Sequence, residues 1–92
     1  MRFDWDEDKA ARNVRRHGVE FSEAEEVFDD PNAAEGLDVL HSHDEDRYQI
    51  IGWSSRRLLF VVFAEQADTI RLISARRVTP RERTMYETKQ KT

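Results

Sequence analysis

The sequence predicts an α+β fold with two N-terminal helices, an antiparallel sheet of three or four strands and a C-terminal helix. Helix start and stop signals occupy residues 6–31 and return at Thr79, whereas residues 48–77 hold strand-like runs separated by polar turns. The chain has 92 residues, of which 38% are hydrophobic, enough for one small core. We therefore expect residues 1–92 to form a single domain.

The N-terminus predicts an extended lead-in followed by a helix. Phe3 and Trp5 alternate with charged residues, which permits a short first strand. Asp6 is expected to cap a helix that runs to about His17. Gly18 is its expected stop, because glycine accepts the left-handed conformation.

A second helix is predicted to start at Ser22. Glu25 follows three residues later, which is the spacing of a capping box, and Pro31 marks the end of the helix. Residues 33–41 are a weak strand candidate, and residues 44–46 are a polar turn.

Three further runs predict strands at residues 48–53, 58–64 and 69–77, joined by turns at 54–57 and 65–68. The middle run is apolar on both faces, which is typical of a central strand.

Regular alternation along the last strand has a direct consequence for its arginines. It predicts that Ile70, Leu72, Ser74 and Arg76 share one face, with Arg77 on the other.

The C-terminal helix has the strongest start signal in the chain. Thr79, Pro80 and Glu82 supply a capping residue, a favoured first residue and the acidic partner of a capping box. Only Met85 and Tyr86 are large and apolar in the helix that follows. Such a helix is marginal alone, so we expect it to be mobile or to pack against a partner.

Composition excludes several classes of protein. The chain has no cysteine, so disulfide frameworks and thiolate zinc sites are excluded. The longest apolar run, Leu58–Ala64, is too short to cross a bilayer. No apolar segment follows a basic one at the N-terminus, so we expect no secretory signal and a cytoplasmic protein.

Charge is distributed unevenly along the chain, whose net charge is −4. Residues 20–46 carry eleven Asp/Glu and no Lys/Arg, a balance of −11. Residues 71–92 carry seven Lys/Arg and two Asp/Glu, a balance of +5. The basic end can hold a polyanion, and we expect the acidic segment to lie on a different face from Arg76.

Two groups of residues are candidates for chemistry. Near the C-terminus an arginine, a glutamate and a tyrosine are expected to converge, which suits phosphate binding and proton transfer; these are Arg76, Glu82 and Tyr86, with Arg83 beside them. A solvated surface, or pairing of Arg76 with the acidic segment, is the alternative. In the first helix Lys9, Asn13 and His17 form a stripe that either positions a substrate or is simply solvated.

A metal site is not expected. His41 and His43 precede Asp44 and Glu45, but this polar segment offers no fixed ligand geometry. We expect no metal and no cofactor.

The chain resembles the BrnT toxins of bacterial type II toxin–antitoxin systems. The matching residues run through nearly the whole chain: Phe3, Trp5, Asp6, Lys9, Asn13, His17, Gly18, Val19, Phe21, Glu23, Ala24, Val27, Phe28, Asp30, Pro31, Glu45, Arg47, Gly52, Leu58–Val62, Ile70, Arg71, Ile73, Ser74, Ala75, Arg76, Glu82, Arg83 and Tyr86.

The resemblance implies a RelE-like endoribonuclease that cleaves RNA without metal and arrests growth. It also implies neutralisation by a BrnA-type antitoxin, whose ribbon-helix-helix part binds operator DNA. The internal 2′-hydroxyl of RNA is the nucleophile, so no Ser or Cys nucleophile is needed.

The roles implied by the resemblance divide between phosphate binding and proton transfer. Arg76 is the first choice for phosphate stabilisation, assisted by Arg83 or Arg47, and Lys9 positions the substrate. The candidates for proton transfer are Glu82, His17 and Tyr86. The alternative function is a non-catalytic module whose basic C-terminal surface binds an acidic or nucleic-acid partner.

Overall fold

The computed structural model describes residues 1–38 and 45–89. This part of the chain forms a five-stranded sheet in the order β1-β5-β4-β3-β2. The strands are β1 (Arg2–Asp4), β2 (Ala34–Leu37), β3 (Arg47–Trp53), β4 (Leu58–Gln66) and β5 (Thr69–Arg77). The helices are α1 (Glu7–His17), α2 (Phe21–Ala24) with a 3-10 helix (Glu25–Asp29) directly after it, and α3 (Pro80–Lys89). The predicted α+β class is confirmed, with five strands instead of three or four.

The sheet is mixed. The four strands β2 to β5 pair antiparallel as consecutive neighbours, as predicted. The short β1 adds a parallel edge beside β5, with Phe3 opposite Ile70. Phe3 packs against the core, so burial of its ring accounts for this extra pairing.

The start and stop signals of α1 are confirmed. The Asp6 carboxylate accepts hydrogen bonds from the backbone N–H groups of Asp8 and Lys9 at 2.8 and 3.1 Å. Gly18 ends the helix with a φ of 68°, and its N–H donates to the Val14 carbonyl at 2.8 Å.

The capping box predicted at Ser22 is wrong. Helix α2 begins one residue earlier, at Phe21, and Glu20 precedes it without a side-chain cap. The reason is the spacing of the core residues Phe21, Ala24 and Val27, which recur every three residues. A 3-10 helix aligns such residues on one face, so after one α-helical turn the chain tightens into that geometry.

The main core lies on the sheet face covered by α2 and the 3-10 helix, which we call the covered face. Its buried members come from these helices, from the segment before them and from the three central strands: Val19, Phe21, Ala24, Val27, Ile50, Leu59, Val61, Phe63, Ile70, Leu72 and Ala75. A smaller cluster, Ile51, Leu58 and Tyr86, packs α3 against the opposite face. No helix among residues 1–38 and 45–89 is long and apolar enough to span a membrane.

A β-bulge in β5 determines where Arg76 points. Val62 of β4 pairs with Ser74, but the next residue, Phe63, pairs with Leu72, so Ile73 is an extra residue. The predicted alternation is therefore wrong beyond Leu72. Ser74 and Arg76 lie on the face opposite to Leu72, because one added residue exchanges the faces of all that follow.

Candidate active site

Three rows of side chains cross the sheet face opposite to the covered face, which we call the open face. Residues directly opposite one another on neighbouring strands share a face, so each row joins β3, β4 and β5. The rows are Arg47–Ala64–Arg71, Gln49–Val62–Ser74 and Ile51–Phe60–Arg76. The bulge is what brings Arg76 into the third row.

Two clefts meet on the open face. The larger, about 500 Å³, lies between the sheet and α3 and is lined by Asp38, Arg47, Gln49, Ile51, Phe60, Val62, Ile73, Ser74, Arg76, Glu82 and Met85. The smaller, about 300 Å³, lies between the sheet and α1 and is lined by Lys9, Arg12, Asn13, Arg16, His17, Arg47, Ile73 and Ser74. Arg47, Ile73 and Ser74 line both, so the two clefts form one continuous surface.

Arg76 is held in place by Glu82 and Phe60. Its Nη1 and Nη2 donate to the two carboxylate oxygens of Glu82, both at 2.8 Å. The guanidinium carbon lies 4.3 Å from the centre of the Phe60 ring. Glu82 is fixed in turn by the capping box, because its Oε1 accepts from the Thr79 N–H at 2.9 Å and its own N–H donates to Thr79 Oγ1 at 3.2 Å.

The same hydrogen bonds fix the charges of this pair. The bond from Arg76 lowers the pKa of Glu82 below its ordinary value, although burial opposes the shift. The bond to Glu82 raises the pKa of Arg76. Both groups are therefore charged at neutral pH, and Glu82 is a weak base.

Arg76 keeps one pair of parallel donors for a ligand. Nη1 and Nη2 face Glu82, and Nη1 also donates to the Arg77 carbonyl at 3.2 Å. Among the described residues, none accepts from Nε–H or from the second Nη2–H, which lie side by side. This fork matches two oxygens of a phosphate.

The three residues of the stripe predicted on α1, Lys9, Asn13 and His17, all line the smaller cleft, and Asn13 also holds α1 against β5. Asn13 is only 5% exposed. Its amide nitrogen donates to the Ala75 carbonyl at 2.9 Å, and its amide oxygen accepts from the Ala75 N–H at 3.1 Å. A third bond, to the Val19 carbonyl at 2.9 Å, completes its role as the clamp that holds α1 against β5.

Tyr86 and Arg83 do not line either cleft. The Tyr86 hydroxyl donates to Asp30 Oδ2 at 2.8 Å. Burial and the Asp30 carboxylate raise the pKa of Tyr86 to about 12. Arg83 lies over the Trp53 ring, 5.8 Å from its centre. The structure thus brings Arg76, Glu82, Arg47, Lys9 and His17 onto one surface and separates Tyr86 and Arg83 from them.

The expectation that residues 20–46 lie away from Arg76 is wrong for Asp38. Asp38 follows β2 and is brought into the larger cleft when its N–H donates to the Arg47 carbonyl at 2.7 Å. Glu45 also lies near the open face, where it pairs with Arg71 at 2.7 and 2.9 Å. The acidic residues of α2 and the 3-10 helix lie with the covered face, where Glu23 bonds Arg57 of the β3–β4 turn.

Besides Asp38, reasoning from the sequence missed four polar residues that line the clefts: Arg12, Arg16, Gln49 and Ser74. The arginines lie one helical turn apart and could have been found by plotting α1 as a helix. Ser74 belongs to the residues that carry the family resemblance, whereas Gln49 carried no signal; that the two share a row depends on the bulge. Of the residues considered for metal binding, His41, His43 and Asp44 lie outside the described residues, and Glu45 pairs with Arg71. Among the described residues, no group of three or more His, Cys, Asp or Glu can hold a metal ion.

The chain matches the model of one protein family. A search of curated proteins finds no match. A family model described as the ribonuclease toxin, BrnT, of type II toxin–antitoxin systems matches residues 5–82, which include Lys9, His17, Arg47, Arg76 and Glu82. The match covers most of the chain and agrees with the resemblance seen in the sequence. The chain therefore belongs to the BrnT family of type II toxin–antitoxin ribonuclease toxins.

Proposed function

We propose that this chain is a metal-independent endoribonuclease toxin that arrests growth in the cytoplasm by cleaving RNA on the open face. In this proposal a BrnA-type ribbon-helix-helix antitoxin neutralises it and alone contacts operator DNA. The observation that carries the proposed activity is the free donor fork of Arg76, held by Glu82 at the edge of a cleft. A guanidinium fixed in this way needs no rearrangement before it binds a phosphate.

The RNA backbone enters from the α1 side. Among the described residues, the smaller cleft is lined by four cationic residues, Lys9, Arg12, Arg16 and Arg47, and by no acidic one. In the larger cleft Arg47 and Arg76 are balanced by Asp38 and Glu82. A polyanion is therefore attracted to the smaller cleft first, with Arg47 joining it to Arg76.

Cleavage follows the chemistry that RNA itself supplies. The 2′ oxygen loses its proton and attacks the adjacent phosphorus, and the 5′ oxygen leaves with a proton, so a cyclic phosphate and a 5′-hydroxyl result. Arg76, with Arg47, stabilises the charge that develops on the phosphate oxygens. Lys9 positions the backbone.

Proton transfer is assigned to His17. Imidazole changes protonation near neutral pH and can both accept and donate a proton. The lowered pKa of Glu82 suits a group that orients Arg76 better than one that accepts a proton. Tyr86 is assigned to holding α3, because its hydroxyl is bonded to Asp30.

The test is cleavage of excess RNA by the purified, antitoxin-free chain in EDTA. The parent is expected to turn over many RNA molecules, and Arg76→Ala to lose at least a hundredfold in rate. Arg77→Ala is the matched control, since Arg77 is the exposed neighbour on the opposite face. Stoichiometric binding without turnover would favour the non-catalytic module, and equal cleavage by Arg76→Ala would contradict the role of Arg76.

A further inference from the structure

The row Gln49–Val62–Ser74 is neutral, but both rows beside it carry arginine. Arg47 and Arg71 lie in one neighbouring row and Arg76 in the other. Consecutive rows are roughly 7 Å apart, because two residues along a strand advance by about that distance. We infer that this neutral row binds one nucleobase of a single-stranded RNA while Arg47 and Arg76 of the flanking rows hold its backbone. This inference rests on the proposed function.

Both polar groups of the row are open to a ligand. Among the described residues, the Gln49 amide and the Ser74 hydroxyl form no side-chain hydrogen bond, yet both residues line the larger cleft. No buried side-chain N or O atom in the described part lacks a partner, so both groups reach solvent. The other amide on this surface, Asn13, has both its oxygen and its nitrogen bonded to backbone.

An amide matches the edge of a base. It presents a donor beside an acceptor, and the exposed edges of an unpaired nucleobase do the same. Ser74, two strands away in the same row, adds a hydroxyl that both donates and accepts.

The surroundings suit a flat, neutral ring better than a phosphate. Val62 lies between the two polar groups, and Phe60, Ile73 and Met85 add apolar surface to the same cleft. The volume of about 500 Å³ falls within the usual range of small-molecule sites.

Binding of trinucleotides tests the inference without cleavage. Four 2′-O-methyl trinucleotides that differ only in the central base, and a fifth with an abasic centre, are titrated against the full antitoxin-free chain. The 2′-O-methyl group removes the nucleophile, so affinity is measured independently of activity. The parent is expected to prefer one central base by about tenfold, and Gln49→Ala to reduce this preference to about twofold.

Gln66→Ala is the matched control, because Gln66 is exposed at the far end of β4 and lines neither cleft. It should keep the parent's preference, and the abasic trinucleotide should bind the parent and Gln49→Ala equally. Ser74→Ala is expected to weaken the preference as well and provides the same test if Gln49→Ala does not fold.

Equal affinity of the parent for all four bases would overturn the inference, as would a preference retained in both Gln49→Ala and Ser74→Ala. The two proposals can fail separately. If the parent cleaves no RNA but prefers one base, and both variants lose that preference, the base site is supported and the proposed activity is contradicted.

Discussion

Two arginine–glutamate pairs in this molecule have similar geometry and different surroundings. Arg57 donates to Glu23 through Nε and Nη2 at 3.0 and 2.9 Å, and Arg76 donates to Glu82 through Nη1 and Nη2 at 2.8 Å. Their arginine side chains are 24% and 33% exposed. Distance and exposure alone therefore do not distinguish the Arg57–Glu23 pair from the pair that we propose binds phosphate.

The difference lies in the donors that remain. Arg57 uses its side-by-side Nε and Nη2 donors on Glu23 and also bonds the Gly18 carbonyl at 2.9 Å, which ties the end of α1 to the β3–β4 turn. Arg76 leaves that same pair of donors unused by the described residues and lines a cleft. In the proposed function, Arg76 differs from Arg57 in the donors that its glutamate partner leaves unused.

Replacing each arginine by lysine gives the largest contrast. Arg76→Lys keeps the charge but loses the fork, so RNA cleavage should fall by about a hundredfold. Arg57→Lys should leave cleavage by the folded protein unchanged and lower the free energy of unfolding by about 1–3 kcal/mol. Cleavage rates and urea unfolding of both variants check this. If Arg57→Lys folds normally but cleaves as poorly as Arg76→Lys, the two arginines do not differ in the proposed way.

Replacing Glu23 by glutamine should mainly affect stability. Glu23 is 8% exposed and accepts from Arg57 and from Ser54 Oγ, the latter at 2.8 Å. Removing its charge is expected to cost about 2 kcal/mol in the free energy of unfolding. Urea denaturation measures this loss, and a midpoint equal to that of the parent would show that the pair does not stabilise the turn.

Removal of the Tyr86 hydroxyl should loosen α3. Tyr86→Phe loses the bond to Asp30, and the expected cost is about 1 kcal/mol. Because the pKa of Tyr86 is raised to about 12, its contribution is present below pH 10 and is lost as the pH rises toward about 12. Tyrosinate absorbance during a pH titration should show one late-titrating tyrosine in the parent that is missing from Tyr86→Phe.

Acid should weaken the Arg76–Glu82 pair, and this is the smallest of the expected effects. The hydrogen bond from Arg76 lowers the pKa of Glu82 below 4.5, so its contribution is full above pH 4.5 and declines as the pH falls through the lowered value. The expected difference is less than about 1 kcal/mol, because the pair is partly solvated. Thermal melts of the parent and Glu82→Gln from pH 7 to pH 3 should converge at the acidic end, and curves that diverge there would contradict this sign.

Local signals in the sequence predicted the elements that local chemistry determines. Asp6, Gly18 and the Thr79–Glu82 capping box act within a few residues of themselves, and each forms as predicted. The bulge at Ile73 and the burial of Asn13 depend on pairing between distant segments, so neither could be predicted.

The same distinction applies to the site. The closeness of Arg76 and Glu82 in the sequence predicts that they converge, and the structure pairs them. The face on which Arg76 lies, and the presence of Gln49 and Asp38 beside it, follow from the register of the sheet. A period-2 reading of β5 assigns Arg76 to the wrong face because it contains no information about the bulge.

We expect Arg76 to bind phosphate with its unused Nε–H and Nη2–H donors while it still holds Glu82. The Nε–H resonances of Arg76 and Arg57 in a nitrogen-15 NMR spectrum report on this directly during titration with the 2′-O-methyl trinucleotides. The Arg76 Nε–H signal is expected to move downfield on binding, whereas the Arg57 signal should stay in place because Arg57 Nε–H already bonds Glu23. An Arg76 signal that stays in place while the trinucleotide binds would show that this arginine does not hold the phosphate.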